Sequence, residues 1–131
     1  MLCGVITVEE DQVISKYQFA ETIEVLRKAI EDNGLKVVSF IDARENLKKI
    51  GANIGGNSIL EVFHPKFALE VFQHDLRAGI VPPLRIYVYE DGNKTKVVWQ
   101  SASKLFDPFT GLGDLARRID RMIQSIMGSI K

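Results

Sequence analysis

The chain has 131 residues, of which 46% are hydrophobic and 26% charged, and its 17 basic and 17 acidic residues cancel to a formal net charge of zero. That length suits one domain with a real core, and the charge balance disfavours a nucleic-acid binder, which must neutralise phosphates with a basic surplus or stripe. No apolar run approaches the ~18 residues that span a bilayer, the opening MLCGVITVEEDQ has no basic signal-peptide start, and the one cysteine, Cys3, can form neither an internal disulfide nor a thiolate zinc site by itself.

LCGVITVE (2–9) is rich in β-branched residues and predicts a strand, EEDQ a turn, and VISKYQ (13–18) a second short strand. From Phe19 the period becomes helical. Phe19, Ile23, Leu26 and Ile30 share a face, and Asn33-Gly34 is the stop. LKVVSFI (35–41) reads as a strand, and ARENLKKIG (43–51) as one or two helical turns with Asp42 as N-cap. ANIGGN (52–57) is a flexible connector, because it lacks the GK[ST] ending and the strand–GxGxxG–helix context of phosphate loops. SILEVF (58–63) is a strand, and Pro65 opens a helix that runs to about Ala78 and stops at Gly79.

IVPP (80–83) is an extended connector. LRIYVYE (84–90) and KTKVVWQS (94–101) make a hairpin around DGN, since Asp-Gly between alternating β runs is a strong turn signal. LFDPFTGLG (105–113) is irregular. The last helix begins near Asp114 with Leu115, Ile119, Met122, Ile126 and Ile130 on one stripe, while Arg117, Arg118 and Arg121 form a solvated face. This order predicts an α+β domain over residues 1–131, with helices packed on one face of a single, mainly antiparallel sheet.

The chain's two histidines, His64 and His74, invite a metal reading, and the spacing excludes it. One sits at the helix start and the other more than two turns along, ~15 Å apart at 1.5 Å per residue. His64 reads as an N-cap-like residue beside Pro65, with contact to an anionic ligand at the helix N-terminus as the alternative, and His74 as a flank residue. Asp75 falls among Ala68, Val71, Phe72 and Gly79 on the helical wheel. A carboxylate on a buried face must be paired, hydrogen-bonded or protonated, and Arg85 is its nearest basic candidate downstream. Strand alternation opposes that pairing, because Arg85, Tyr87 and Tyr89 face away from Leu84, Ile86 and Val88. Arg85, Tyr87 and Tyr89, with Trp99 near them on the return strand, suit core packing, a subunit interface or a ligand surface. No serine has a base at motif spacing, and Cys3 reads as a small apolar residue.

Four pieces in order carry a family likeness: FAETIEVLRKAIEDNGLKVVSFID, ENLKKIG, ILEVFHPKFA and PLRIYVYEDG. Together they resemble domain-of-unknown-function family 302, the TT-1751-like fold, over roughly residues 19–131. The resemblance implies a TATA-binding-protein-like unit, a curved antiparallel sheet with helices on one side, in a cytoplasmic, dimeric protein. It implies no activity. The family's Gly-Asn-Pro step stands here as Phe63-His64-Pro65, so no site residue carries over.

The expectation from all of this is a non-enzymatic binding or assembly protein, a homodimer meeting through a sheet face or edge, with no metal or cofactor. The alternative is a small-ligand sensor or enzyme with a pocket at the helix near Pro65, drawing on His64, Asp75, Arg85 and Tyr87. A second alternative is nucleic-acid binding through the sheet face.

Overall fold

The computed structural model describes residues 11–131. The strand expected at 2–9 and Cys3 lie outside the described residues. β1 (Asp11–Ile14) leads to α1 (Phe19–Asp32), β2 (Lys36–Asp42), α2 (Ala43–Lys48), β3 (Asn57–Phe63) and α3 (Pro65–His74). A 3-10 turn (Leu76–Ile80), β4 (Leu84–Asp91), β5 (Lys94–Trp99), α4 (Ala102–Phe106) and α5 (Gly113–Gly128) follow. The strands form one sheet in the order β1-β5-β4-β3-β2, with every neighbouring pair antiparallel. The fold class is α+β, as the element order predicts.

Register divides the sheet into two faces. Leu60, Ile86 and Trp99 lie in one row and Val88 and Val97 in another, all on the same side. They are buried in one core with Leu26 and Ile30 of α1, Phe67 and Val71 of α3, and Ile119 and Ile126 of α5. The helices therefore cover this face. The opposite face shows the row Ile41, Ile59, Tyr87, Val98, Gln12 and, beside it, Asn57, Tyr89, Lys96, Ile14.

Local chemistry sets the element ends. Gly34, at φ 85°, takes the left-handed step after α1 and sends its N–H to Glu31 O. A side chain there would strain the backbone. Gly92 does the same in the β4–β5 turn at φ 61°. Asp42 caps α2 by accepting from Glu45 N at 3.0 Å. The entry to α1 is held by a buried hydroxyl pair: Ser15 Oγ lies 2.7 Å from Thr22 Oγ1, which donates to Gln18 O at 2.8 Å.

Several expectations are corrected. Asp11 and Gln12 are strand, paired with Trp99 and Val98, rather than turn. Residues 102–106 form a helix that fills the unassigned step after the hairpin and takes in the start of the segment read as irregular. Asp120 of α5 holds its start, accepting from Ala102 N at 2.6 Å and Ser103 N at 3.1 Å. Arg118 does not stand in solvent on an idle face. It ion-pairs with Glu70 of α3 and with Asp114, and its guanidinium lies 6.0 Å from the Phe67 ring centre, so it ties α5 to α3. The ANIGGN connector is anchored at its end: Gly56 is buried, donates its N–H to the Glu90 carboxylate, and accepts from Glu90 N at 2.9 Å.

Candidate functional site

The helix opening at Pro65 ends four residues early. It stops at His74 because Asp75 is extended at φ −158°, still donating its N–H to Val71 O at 2.9 Å. Asp75 then caps the following 3-10 turn, accepting from Arg77 N at 3.0 Å. Its carboxylate is 3.7 Å from Arg77 Nε and keeps 21% of its side-chain surface exposed. Asp75 is thus no buried acid on a helix face, and its cationic neighbour is Arg77 rather than Arg85. The residues that α3 and the turn do bury are Phe67, Val71 and Ala78.

His64 is the N-cap of α3. Its Nδ1 accepts from Lys66 N at 3.1 Å and so occupies one of the donors that would otherwise attract an anion. Its ring meets Phe67 edge-on at 6.2 Å. His74 Nδ1 donates to Glu70 O at 2.9 Å, and its ring edge packs where a side chain at Gly111 would stand. Each histidine is therefore held locally by its own helix. Among the described residues, no group of three or more His, Cys, Asp or Glu is placed to hold a metal ion.

Arg85 and Tyr87 are brought together on the uncovered sheet face. Arg85 stands in register with Glu61 across β3, Nε to Oε2 4.0 Å, with 60% of its side chain exposed. Tyr87 stacks on Tyr89 with ring centres 5.0 Å apart and planes 18° apart, the geometry of an offset aromatic pair. Tyr87 Oη accepts from Asn57 Nδ2 at 2.6 Å, which leaves its own hydroxyl hydrogen to donate.

These two side chains line a depression of about 430 Å³ at the end of the sheet where β4 begins and β5 ends. Its other walls include Ile59 and Val98 from the open face, Pro83 from the connector, Leu105 of α4, and Trp99 from the core face. Gln100 stands at its margin. The lining is mainly apolar with a few polar groups, and the size falls within the roughly 300–1,000 Å³ of small-molecule sites. His64 and Asp75 do not line it. Of the four residues singled out in the sequence, the structure gathers Arg85 and Tyr87 and places the other two at the ends of α3.

Two features escaped the sequence. One is the role of Val98, Leu105 and Pro83 as walls, which depends on strand order and connector path. The other is an exposed apolar stripe. Leu69, Phe72, Leu76 and Ile80 keep 58%, 46%, 77% and 83% of their surface in solvent. Phe72 leans over Gly79, where a Cβ would stand 3.0 Å from its Cε1, so the stripe runs from α3 onto the 3-10 turn. The signal was present as Leu69-Phe72-Leu76 at spacings of three and four, but a helix drawn through to Ala78 makes Phe72 a core residue.

Comparison with known proteins agrees with the architecture. The family model described as a domain of unknown function, DUF302, matches residues 11–130. The crystal structure of an uncharacterised conserved DUF302 protein from Bacillus stearothermophilus superposes with a TM-score of 0.84 at 23% identity, covering 93% of this chain and 98% of that one. At that identity the likeness concerns the fold. No curated protein matches the chain.

Proposed function

The chain belongs to the DUF302 family, which brings no activity with it, and we propose that it is a non-enzymatic binding and assembly protein that works as a homodimer. The observation that carries this reading is the stripe Leu69, Phe72, Leu76 and Ile80. Single exposed apolar residues are ordinary, but four large ones on one helix and the turn that follows it mark a surface that is covered in use. The stripe lies on the helical side, so the expected sheet-face or edge contact moves to α3 and the 3-10 turn. Among the described residues, no histidine, cysteine or carboxylate lines the depression, which supports a binding rather than a catalytic role. A single cysteine suits a reducing, cytoplasmic setting.

Sedimentation velocity over the micromolar range tests the assembly. The wild type should sediment as a dimer, and Leu76→Lys with Ile80→Lys should sediment as a monomer with unchanged far-UV circular dichroism, since both side chains already stand in solvent. A wild type that is monomeric throughout would refute the reading.

A second reading is that the sheet face binds a small molecule. It rests on the depression holding Arg85 and Tyr87 and is compatible with a dimer formed elsewhere. Nucleic-acid binding comes last. On the uncovered face Lys96 is tied to Asp91 at 2.7 Å and Arg85 faces Glu61, so these cations already have acidic neighbours.

A further inference from the structure

We propose that the depression beside Arg85 takes one small monocarboxylate with a flat apolar body, its carboxylate on the Arg85 guanidinium and its body against Trp99, Val98, Pro83 and Leu105. The proposal rests on the small-molecule reading of this face and names the chemistry of its occupant.

The lining sets the body. The aliphatic residues and Trp99 of the lining gain by covering an apolar surface of similar size and offer little to a sugar-like molecule with many hydroxyls. Arg85 sets the head. Among the described residues it is the one charged member of the lining, and a guanidinium matches a planar carboxylate through two parallel N–H donors. A cationic head would be repelled.

Glu61 narrows the class further. Its carboxylate stands 4.0 Å from Arg85 Nε, so any anion on Arg85 also feels a negative neighbour. A dianion such as a phosphate monoester doubles its attraction to Arg85 and its repulsion by Glu61 alike, while its desolvation cost rises more steeply with charge, so beside this nearly neutral pair a monocarboxylate is the better fit.

The test uses the chain's single tryptophan. Because Trp99 lines the depression, its fluorescence reports occupancy without a label. The probes are phenylacetate, its neutral isostere phenylacetamide, and phenylethylammonium. Phenylacetate should give a saturable change with a Kd about tenfold below that of the amide, and phenylethylammonium should bind weakest. Arg85→Met should erase the preference for the acid over the amide, and Glu61→Gln should tighten phenylacetate about threefold by removing the competing charge. The tenfold factor corresponds to about one charge-assisted contact, and the threefold one to a weaker, solvent-exposed charge neighbour.

Acid and amide binding equally, the cation binding best, or Glu61→Gln weakening the acid would each overturn the monocarboxylate assignment and leave the small-molecule reading standing. No saturable change with any probe, together with unmoved amide resonances of Val98 and Gln100, would overturn both.

Discussion

Replacing Gly56 with alanine tests how the end of the β2–β3 connection is held. Gly56 is buried and fixed on both sides by Glu90, through its N–H to the carboxylate and its carbonyl to Glu90 N at 2.9 Å. It does not adopt a positive φ, so alanine brings no backbone strain of its own. The added Cβ would instead stand 2.5 Å from Phe19 Cγ and Cδ1 and 2.7 Å from Cδ2. These atoms are the root of the ring, and Cγ moves only by turning χ1 or shifting the start of α1. The side chain that would have to move packs against the core from the first residue of that helix. Overpacking of this kind costs about 1–3 kcal/mol, and the Glu90 bonds prevent the loop from backing away. Gly55→Ala is the control, because its Cβ would meet Glu90 Cβ at 3.4 Å, an ordinary contact. Urea unfolding followed by circular dichroism should give Gly56→Ala a loss of about 2 kcal/mol at unchanged m-value, against roughly 0.5 kcal/mol or less for Gly55→Ala. Equal and small losses would mean that Phe19 swings away at no cost and that the close approach does not hold the connection.

Thr22→Val should lower stability by about 1–3 kcal/mol, because it leaves the buried Ser15 hydroxyl without the partner it has at 2.7 Å. Thr22→Ser should cost clearly less in the same urea assay. Asp120→Ala should cost about 1–3 kcal/mol as well, since its carboxylate accepts from Ala102 N, Ser103 N and Ser103 Oγ, and amide exchange at Ala102 and Ser103 should quicken before exchange elsewhere. In the β4–β5 hairpin, the hydrogen bond and charge of Lys96 hold the Asp91 carboxyl below its ordinary pKa. A folded pKa below the unfolded one makes the pair's contribution present above the unfolded value and lost as the pH falls through the folded value. Lys96→Met should therefore move the Asp91 titration upward by NMR and flatten that acid-side dependence, and an unmoved titration would show that the pair does not form in solution.

The element order and fold class were legible in the sequence because they rest on local causes. Apolar spacing marks α1 and α5, Asp42 and Pro65 mark helix starts, and Asp91-Gly92 marks the hairpin turn. Alternation on β4 likewise separated Arg85 and Tyr87 from Leu84, Ile86 and Val88 while leaving core packing open, and register with Glu61 and Val98 puts them on the face away from the core. Asp75 failed for a physical reason. A helical wheel assumes that the helix continues, and here the aspartate ends it to cap the next turn through Arg77 N, which turns a supposed buried acid into a partly exposed one and frees Phe72 for the surface. The choice among Asp75's possible partners, the Glu70–Arg118 link between α3 and α5, the closure of Gly56 on Phe19, and the gathering of Trp99, Pro83 and Leu105 around Arg85 all join residues far apart in the chain. By itself the sequence determined the type of the longer segments and the apolar side of α1, β4 and α5, but neither α4 nor the end of α3. Only the tertiary structure decided which charged and aromatic side chains meet, because those meetings depend on strand order, register and the path of the connectors, none of which leaves a periodic mark along the chain.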